Sequence, residues 1–215
     1  AMERDLPKLI VGLGKTGLSC ARFLAARGEA FAALDSRAAP PGLDEFRADF
    51  PDAPVFLGGF DAAPLARARR LVLSPGVALT EPAIAAAVQA GAEALGDIEL
   101  FARAALALVV AVTGANGKST VTTLVGEMMR DAGYRVRMGG NLGTPALDLL
   151  AGEVPDFYAL ELSSFQLETT RSLNAAAAAV LNISPDHMDR YRDLTEYAAA
   201  KRRIYRGDGV MVING

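Results

Sequence analysis

The segment that most constrains the fold of this chain runs from residue 108 to residue 120 and has the pattern of a strand, a glycine turn and the start of a helix. An apolar run at residues 108–112 leads into Thr-Gly-Ala-Asn-Gly-Lys-Ser-Thr, and a helical pattern follows at residues 121–132. Backbone N–H groups of a glycine turn and of a first helical turn can point together at an anion. The segment therefore predicts a polyphosphate site in an α/β domain.

Within this phosphate loop the side chains have distinct expected roles. Lys118 would reach the β- and γ-phosphates of a nucleotide, and the Ser119 hydroxyl would ligate a bridging Mg²⁺. Val112 stands where the usual signature has its first glycine, so the loop is a shortened form. An ordinary strand-to-helix turn with an exposed lysine is the alternative. The residues predicted to bind the nucleotide are Gly114, Ala115, Asn116, Gly117, Lys118, Ser119 and Thr120.

A second glycine turn, Gly-Leu-Gly-Lys-Thr-Gly at residues 12–17, follows an apolar strand pattern and precedes a helical pattern. Asp35 ends the next predicted strand. This arrangement is close to the dinucleotide-binding fingerprint, in which the third glycine allows close helix packing and the acidic residue takes a ribose hydroxyl. The same geometry serves any nucleotide diphosphate, and a purely structural turn is also possible.

Open parallel sheets bind ligands at the carboxyl ends of their strands. Four residues in the first half of the chain follow predicted strands and are expected to share one rim of such a sheet. They are Asp35, Ser36, Arg37 and Gly76.

In the second half, three polar residues stand out near predicted strand ends. Asn141 lies among three glycines and could bind a ligand or its metal, or be a plain loop residue. Glu161 interrupts an apolar strand, where a carboxylate is costly unless it binds a metal or forms a buried salt bridge. His187, the single histidine, lies in an acidic loop and is interpreted as a metal ligand, with a structural role as the alternative. From spacing alone, Lys201 is expected to be a solvated helix lysine.

Composition limits the broad class of protein. A length of 215 residues fits two small domains, and 51% hydrophobic residues supply real cores. The net charge of −3 with scattered basic residues argues against a nucleic-acid partner. Apolar runs fall well short of the ~20 residues that a membrane span needs. With one cysteine and no signal segment, we expect a cytoplasmic protein.

Six motifs in this order resemble those of the Mur ligase family, specifically its D-glutamate-adding members. They occupy residues 12–19, 96–101, 113–120, 140–143, 160–168 and 186–191. The resemblance implies an α/β fold with parallel sheets flanked by helices. It implies a Rossmann-like domain at residues 1–96 that binds the UDP of the substrate. Residues 97–215 would form an incomplete P-loop-type ATPase domain, the central domain of the family.

The resemblance also implies roles for individual residues. Thr16 would join Asp35, Ser36, Arg37 and Gly76 around the uridine diphosphate. Three residues would face the muramoyl-alanine part of the substrate, namely Asn141, Ser163 and Gln166. Ser119, Glu161 and His187 would help to bind two Mg²⁺ ions. Lys201 matches a lysine that the family carries as a carbamate, which would make it a further metal ligand, and Lys118, His187 and Lys201 would be the catalytic residues.

The activity implied is ATP-dependent addition of D-glutamate to UDP-N-acetylmuramoyl-L-alanine through an acyl phosphate, in peptidoglycan precursor synthesis. A monomer without nucleic-acid or membrane partners is expected. Family members also have a C-terminal domain that binds the incoming amino acid, so we expect this chain alone to make no product. The alternatives are another Mur or folylpolyglutamate-type ligase, a non-catalytic nucleotide-binding module, and an NAD-dependent dehydrogenase based on the first glycine turn.

Overall fold

The computed structural model describes residues 5–214 and divides into two compact units, with the division between Asp97 and Ile98. Each unit is built on a five-stranded sheet whose strand pairs are all parallel. Parallel strands need crossover connections, and most of the connections here contain helices. The predicted class, α/β with parallel sheets flanked by helices, is confirmed.

The first unit has the strand order β3-β2-β1-β4-β5. Its elements are β1 (Leu6–Val11), α1 (Lys15–Ala26), β2 (Ala32–Asp35), α2 (Leu43–Asp49), β3 (Val55–Leu57), α3 (Ala62–Arg67), β4 (Ala68–Leu73), α4 (Pro82–Gln89) and β5 (Glu93–Gly96). Leu9, Leu34 and Leu71 from the three middle strands are fully buried. The chain winds outward from β1 in one direction and then returns to β4 on its other side. The carboxyl ends of β1 and β4 therefore form a topological switch point, where such sheets bind ligands.

The second unit has the strand order β10-β9-β6-β8-β7. Its elements are α5 (Asp97–Ala104), β6 (Leu108–Thr113), α6 (Lys118–Asp131), β7 (Val136–Gly140), a 3-10 helix (Ala146–Leu150), β8 (Phe157–Glu161), α7 (Ser164–Glu168), β9 (Ala177–Val180), α8 (Leu194–Arg202), a second 3-10 helix (Arg203–Tyr205) and β10 (Val210–Ile213). The central strand β6 lies between β8 and β9, so the loop that follows β6 lies at the middle of the carboxyl edge.

Several elements differ from the sequence prediction. The apolar run at residues 71–73 predicts a short strand there, but β4 begins at Ala68, because Ala68 and Arg70 pair with β1. Strand β5 was not predicted, since its sequence Glu-Ala-Leu-Gly lacks the β-branched residues that mark strands. Helix α7 was not predicted either. The pattern of residues 194–206 predicts one helix, whereas α8 ends at Arg202 and a 3-10 turn follows over Arg203–Tyr205.

Within the described part of the chain, none of the helices has both the length and the apolar character required to cross a membrane.

Candidate functional site

The first unit contains one cleft that gathers every substrate residue predicted in that unit. Its volume is about 450 Å³, and it lies at the switch point between β1 and β4. The predicted residues that line it are Thr16, Asp35, Ser36, Arg37 and Gly76. Thr16 belongs to the first turn of α1, and Asp35 is the last residue of β2. Ser36 and Arg37 follow β2, and Gly76 follows β4.

Asp35 is the best-defined side chain of this cleft. One carboxylate oxygen accepts the N–H of Leu13 and Nη2 of Arg37, both at 2.8 Å. The other oxygen accepts the N–H and Nε of Arg37, both at 2.9 Å. Burial acts to raise the pKa of Asp35, but the hydrogen bonds from Arg37 and Leu13 outweigh it and lower the pKa to about 2.

The Asp35 carboxylate therefore has both oxygens engaged by the glycine turn and by Arg37. In a dinucleotide-binding protein this carboxylate would instead accept a hydrogen bond from a ribose hydroxyl. The geometry fits a residue that shapes the turn and orients an arginine, and it does not favour the NAD interpretation.

The third glycine of this turn has the packing role that the sequence predicted. A Cβ atom at Gly17 would lie 1.9 Å from the carbonyl oxygen of Gly12, which no side chain can tolerate. Sequence reasoning missed Phe60, which also lines the cleft. Phe60 follows β3 in a loop whose sequence carries no binding signal.

The phosphate loop of the second unit joins β6 to α6, as predicted. Gly117 is the N-cap of α6 with a left-handed φ of +79°, a conformation that favours glycine. Lys118 is the first residue of the helix, and its Nζ donates to the carbonyl oxygen of Ala115 at 3.4 Å. The first N–H groups of α6 have no intrahelical acceptor, so the helix presents donors beside the lysine.

Glu161 connects the phosphate loop to a neighbouring strand end. It is the last residue of β8 and is 3% exposed. Its carboxylate accepts the Ser119 hydroxyl at 2.8 Å and the side-chain amide of Asn141 at 3.4 Å. Among the described residues its partners are thus a hydroxyl and an amide, so the buried salt bridge considered for Glu161 is not what the structure has. The N–H of Asn141 also donates to the Glu161 carbonyl at 2.8 Å, which ties the loop after β7 to this strand end.

Lys201 is buried, and the expectation from spacing that it is a solvated helix lysine is wrong. It is 2% exposed and donates to the Gly114 carbonyl at 2.9 Å and to the Thr113 hydroxyl at 3.4 Å. Burial, and to a lesser degree repulsion from Lys118, lowers the pKa of Lys201 to about 8. The tertiary fold turns this face of α8 toward the phosphate loop, which helical spacing alone could not indicate.

Ser163 and Gln166 are joined to each other in a helix cap. The Ser163 hydroxyl accepts the N–H of Gln166 at 3.1 Å, and the Gln166 side chain accepts the N–H of Ser163 at 3.0 Å. This is a capping box at the start of α7. Both side chains therefore have structural partners, and Gln166 is buried.

His187 lies in the loop between β9 and α8. Its ring packs on Phe165 with a centroid separation of 4.7 Å, and its Nε2 lies 3.4 Å from a carboxylate oxygen of Asp186. No described hydrogen bond, ion pair or ring contact joins His187 to Ser119 or Glu161. Between residues 5 and 214, His, Cys, Asp and Glu side chains do not assemble in threes around a possible metal position. Of the four predicted metal ligands, the structure brings only Ser119 and Glu161 into contact.

Sequence reasoning assigned no role to Asn182, which contacts the phosphate loop directly. Its side-chain oxygen accepts the N–H groups of Ala115 and Asn116, both at 2.9 Å. The sequence did offer one signal for this role, since Asn182 is a polar residue that comes directly after a predicted strand.

Comparison with known families accounts for most of the chain. Residues 7–96 match the family described as Mur ligase MurD-like, N-terminal domain. Residues 112–215 match the family described as Mur ligase middle domain. The chain belongs to the Mur ligase family and carries an N-terminal and a middle domain of that family.

Curated relatives indicate which members of the family this chain resembles. A protein of Nitrosococcus oceani named UDP-N-acetylmuramoylalanine--D-glutamate ligase is 64% identical over 96% of this chain. A protein of Pseudomonas putida with the same name is 58% identical over 98% of this chain. The match covers 46% of each relative, so the chain spans about half the length of these proteins.

Solved structures of Mur ligases have a similar fold at low sequence identity. UDP-N-acetylmuramate-alanine ligase MurC from Thermotoga maritima superimposes with a TM-score of 0.59 at 18% identity, over 97% of this chain and 49% of that one. A UDP-N-acetylmuramate:L-alanyl-gamma-D-glutamyl-meso-diaminopimelate ligase from Neisseria meningitides gives 0.61 at 20% identity, over 98% of this chain and 72% of that one. These likenesses concern the fold alone.

Proposed function

We propose that this chain forms the sugar-nucleotide-binding and ATP-binding parts of a ligase that joins D-glutamate to UDP-N-acetylmuramoyl-L-alanine in peptidoglycan precursor synthesis. The observation that carries the proposal is the 64% identity, over 96% of the chain, to a relative that bears this name. Residues 1–96 would bind the UDP portion of the acceptor substrate, and residues 97–215 would bind ATP. The enzyme would work in the cytoplasm as a monomer.

In the second unit, Gly114 to Thr120 would hold the phosphates of ATP. Lys118 begins α6 beside the free N–H groups of the helix, so its ammonium can neutralise charge on the transferred phosphoryl group. Glu161 and the Ser119 hydroxyl supply oxygen ligands 2.8 Å apart, which is the donor chemistry that Mg²⁺ prefers. We assign the metal set to Ser119, Glu161, His187 and Lys201, for two Mg²⁺ ions, and Ser119 and Glu161 are the two of these that are in contact.

Lys201 would join this set as a carbamate. Carbamate formation needs a neutral amine, and the burial that lowers the pKa of Lys201 to about 8 supplies one at a far larger fraction than an ordinary lysine would. N-carboxylation would replace an ammonium that repels Mg²⁺ by an anionic oxygen ligand.

The reaction proposed is acyl activation followed by amide formation. The L-alanine carboxylate attacks the γ-phosphorus of ATP, and the bond to ADP breaks. The amine of D-glutamate then attacks the acyl carbon, loses a proton and releases phosphate. Bound Mg²⁺ would offset the negative charge that builds on the phosphoryl oxygens. Asn141, Ser163 and Gln166 are proposed to face the muramoyl-alanine group.

In the first unit the sugar nucleotide would occupy the cleft lined by Thr16, Asp35, Ser36, Arg37 and Gly76. The start of α1 offers backbone N–H groups to the diphosphate. Asp35 holds the Arg37 guanidinium beside the cleft, where it can contact the base or a phosphate.

Calorimetric titration with UDP-N-acetylmuramoyl-L-alanine, with NAD as the parallel ligand, tests this assignment. We expect saturable heat with the sugar nucleotide and none with NAD. Binding of NAD instead would contradict the assignment of the first unit and would revive the dehydrogenase alternative.

A further inference from the structure

The phosphate loop is held in place by a residue that lies outside it. Asn182 follows β9 by two positions, at the carboxyl edge where β9 neighbours β6. The N–H of Leu181 donates to the carbonyl of Thr113 at 2.9 Å, so the backbone remains paired up to the base of the loop. Because Leu181 is paired with the residue that begins the loop, the side chain of Asn182 lies next to the loop.

The side chain of Asn182 makes a set of bonds that an amide is suited to make. Its Oδ1 accepts the N–H groups of Ala115 and Asn116, both at 2.9 Å. Its Nδ2 donates to the Asn116 carbonyl at 3.0 Å. An amide can donate and accept at once, whereas a carboxylate only accepts and a hydroxyl has a single proton. Asn182 thereby binds backbone groups of two consecutive residues, Ala115 and Asn116.

The other side of the loop is held by Lys201, whose Nζ donates to the Gly114 carbonyl at 2.9 Å. Together the two residues bind the loop from Gly114 to Asn116. The N–H groups of Ala115 and Asn116 are occupied by these contacts, whereas the N–H groups from Gly117 into the first turn of α6 remain available to an anion.

We propose that Asn182 is a positioning residue that keeps the phosphate loop in its anion-binding conformation, with the N–H groups from Gly117 onward left to contact phosphate. The identity of the ligand, a nucleoside polyphosphate with Mg²⁺, rests on the proposed function. The contacts of Asn182 with the loop do not rest on it, because they are hydrogen bonds within this chain.

The first measurement is amide hydrogen exchange of residues 115–120 in the nucleotide-free chain, for the unsubstituted protein and for Asn182→Ala. We expect exchange at Asn116 to accelerate about tenfold or more, because its acceptor is lost. Exchange at Ala115 should change less, because its N–H also donates to the backbone carbonyl of residue 182 at 3.1 Å, which alanine keeps. Asn174→Ala is the matched control. Asn174 lies just before β9, at the other end of the strand from Asn182, and its Oδ1 accepts the backbone N–H of Asp208 at 3.0 Å. The control should leave loop exchange unchanged.

The second measurement is calorimetric titration with Mg²⁺-ADP. Asn182→Ala should weaken binding about tenfold, since the loop must then be ordered by the ligand. Asn182→Asp separates positioning from general stability. It keeps an acceptor, so Ala115 and Asn116 should stay protected, while its negative charge near the phosphates should still weaken ADP binding. Asn174→Ala should bind as the unsubstituted chain does.

Each outcome decides the inference. Faster exchange at Asn116 together with weaker ADP binding supports it. Unchanged exchange at Asn116 in Asn182→Ala would show that Asn182 does not hold the loop. Faster exchange with unchanged ADP affinity overturns the positioning role. If the unsubstituted chain bound no ADP, the proposed function would fail. The exchange comparison would still show whether Asn182 holds the loop.

Discussion

Lys201 combines burial with a position against the phosphate loop, and this combination sets its reactivity. Its pKa of about 8 lies below the ordinary lysine value because burial disfavours the ammonium form. The neutral fraction of the amine therefore rises as pH increases through 8, whereas an unshifted lysine stays charged until the pH nears 10.4. Below pH 7 roughly nine-tenths or more of the amine is protonated, so that little of it is available to add CO₂.

We therefore predict that ¹³C-bicarbonate produces a carbamate carbon resonance at pH 8.5 that is absent at pH 6.5. Lys201→Arg should abolish the resonance, because a guanidinium does not form the adduct. Lys8→Arg is the matched control, since Lys8 is paired with Glu29 in the other unit and should leave the signal intact. An equal resonance in Lys201→Arg would contradict the assignment.

At the scale of elements, α5 is tied to the segment after α7 through one buried carboxylate. Glu99 accepts the N–H groups of Arg171 and Ser172, both at 2.7 Å, and the Ser172 hydroxyl at 2.7 Å. Arg103, one turn further along α5, donates to it at 2.7 Å. Burial acts to raise the pKa of Glu99, but the hydrogen bonds from Arg171 and Ser172 outweigh it and lower the pKa to about 2.

We predict that Glu99 makes the second unit acid-sensitive. A carboxylate with a lowered folded pKa stabilises fully above its unfolded pKa of about 4.5, and the stabilisation is lost as pH falls toward 2. The loss should be about 2 to 3 kcal/mol. Urea unfolding at pH 7 and pH 3 measures it, and Glu99→Gln should be less stable at pH 7 and less pH-dependent.

The control for this prediction is Glu127→Gln. Glu127 pairs with Arg130 on the exposed face of α6, where an ion pair contributes roughly 0.5 kcal/mol or less. It should unfold nearly as the unsubstituted chain does at both pH values. An acid response of Glu99→Gln equal to that of the unsubstituted chain would show that other carboxylates are responsible.

Local patterns predicted the elements that carry their own signal. The phosphate loop was located because an apolar strand, glycines and a helical pattern occur in succession. Helix α7 was missed although Ser163 and Gln166 stand at capping-box spacing, which is a local signal that could have been used. Strand β5 has no such signal and exists because its backbone pairs with β4.

The candidate site was predictable where residues follow strands and unpredictable where side chains meet across the fold. Glu161 and Asn141 were selected at strand ends, and they do meet. The burial of Lys201 and the hydrogen bonds of Asn182 with the phosphate loop depend on which strand lies beside β6. That neighbour, β9, is distant in sequence, and the order β9-β6-β8 is a tertiary property.

At the scale of the whole molecule, the chain contains two sheets, each with its own core and its own candidate site. Leu9, Leu34 and Leu71 belong to the first core, whereas Ala111 and Leu160 are fully buried in the second sheet. The cleft at the β1–β4 switch point and the phosphate loop after β6 draw on different units. A substitution in one unit should therefore change the affinity for the ligand of that unit and leave the affinity for the ligand of the other unit nearly unchanged.

Asp35→Asn tests this separation. The substitution removes the charge that pairs with Arg37 and places an amide where two acceptor oxygens receive the Leu13 N–H and the guanidinium. Because Leu13 is fully buried, its N–H has no water to replace a lost acceptor. We expect the affinity for UDP-N-acetylmuramoyl-L-alanine to fall about tenfold or more, and the affinity for Mg²⁺-ATP to change less than about twofold. Paired calorimetric titrations measure both. Equal weakening of the two ligands would mean that Asp35 stabilises the chain as a whole, and a loss confined to the sugar nucleotide would mean that it shapes one site.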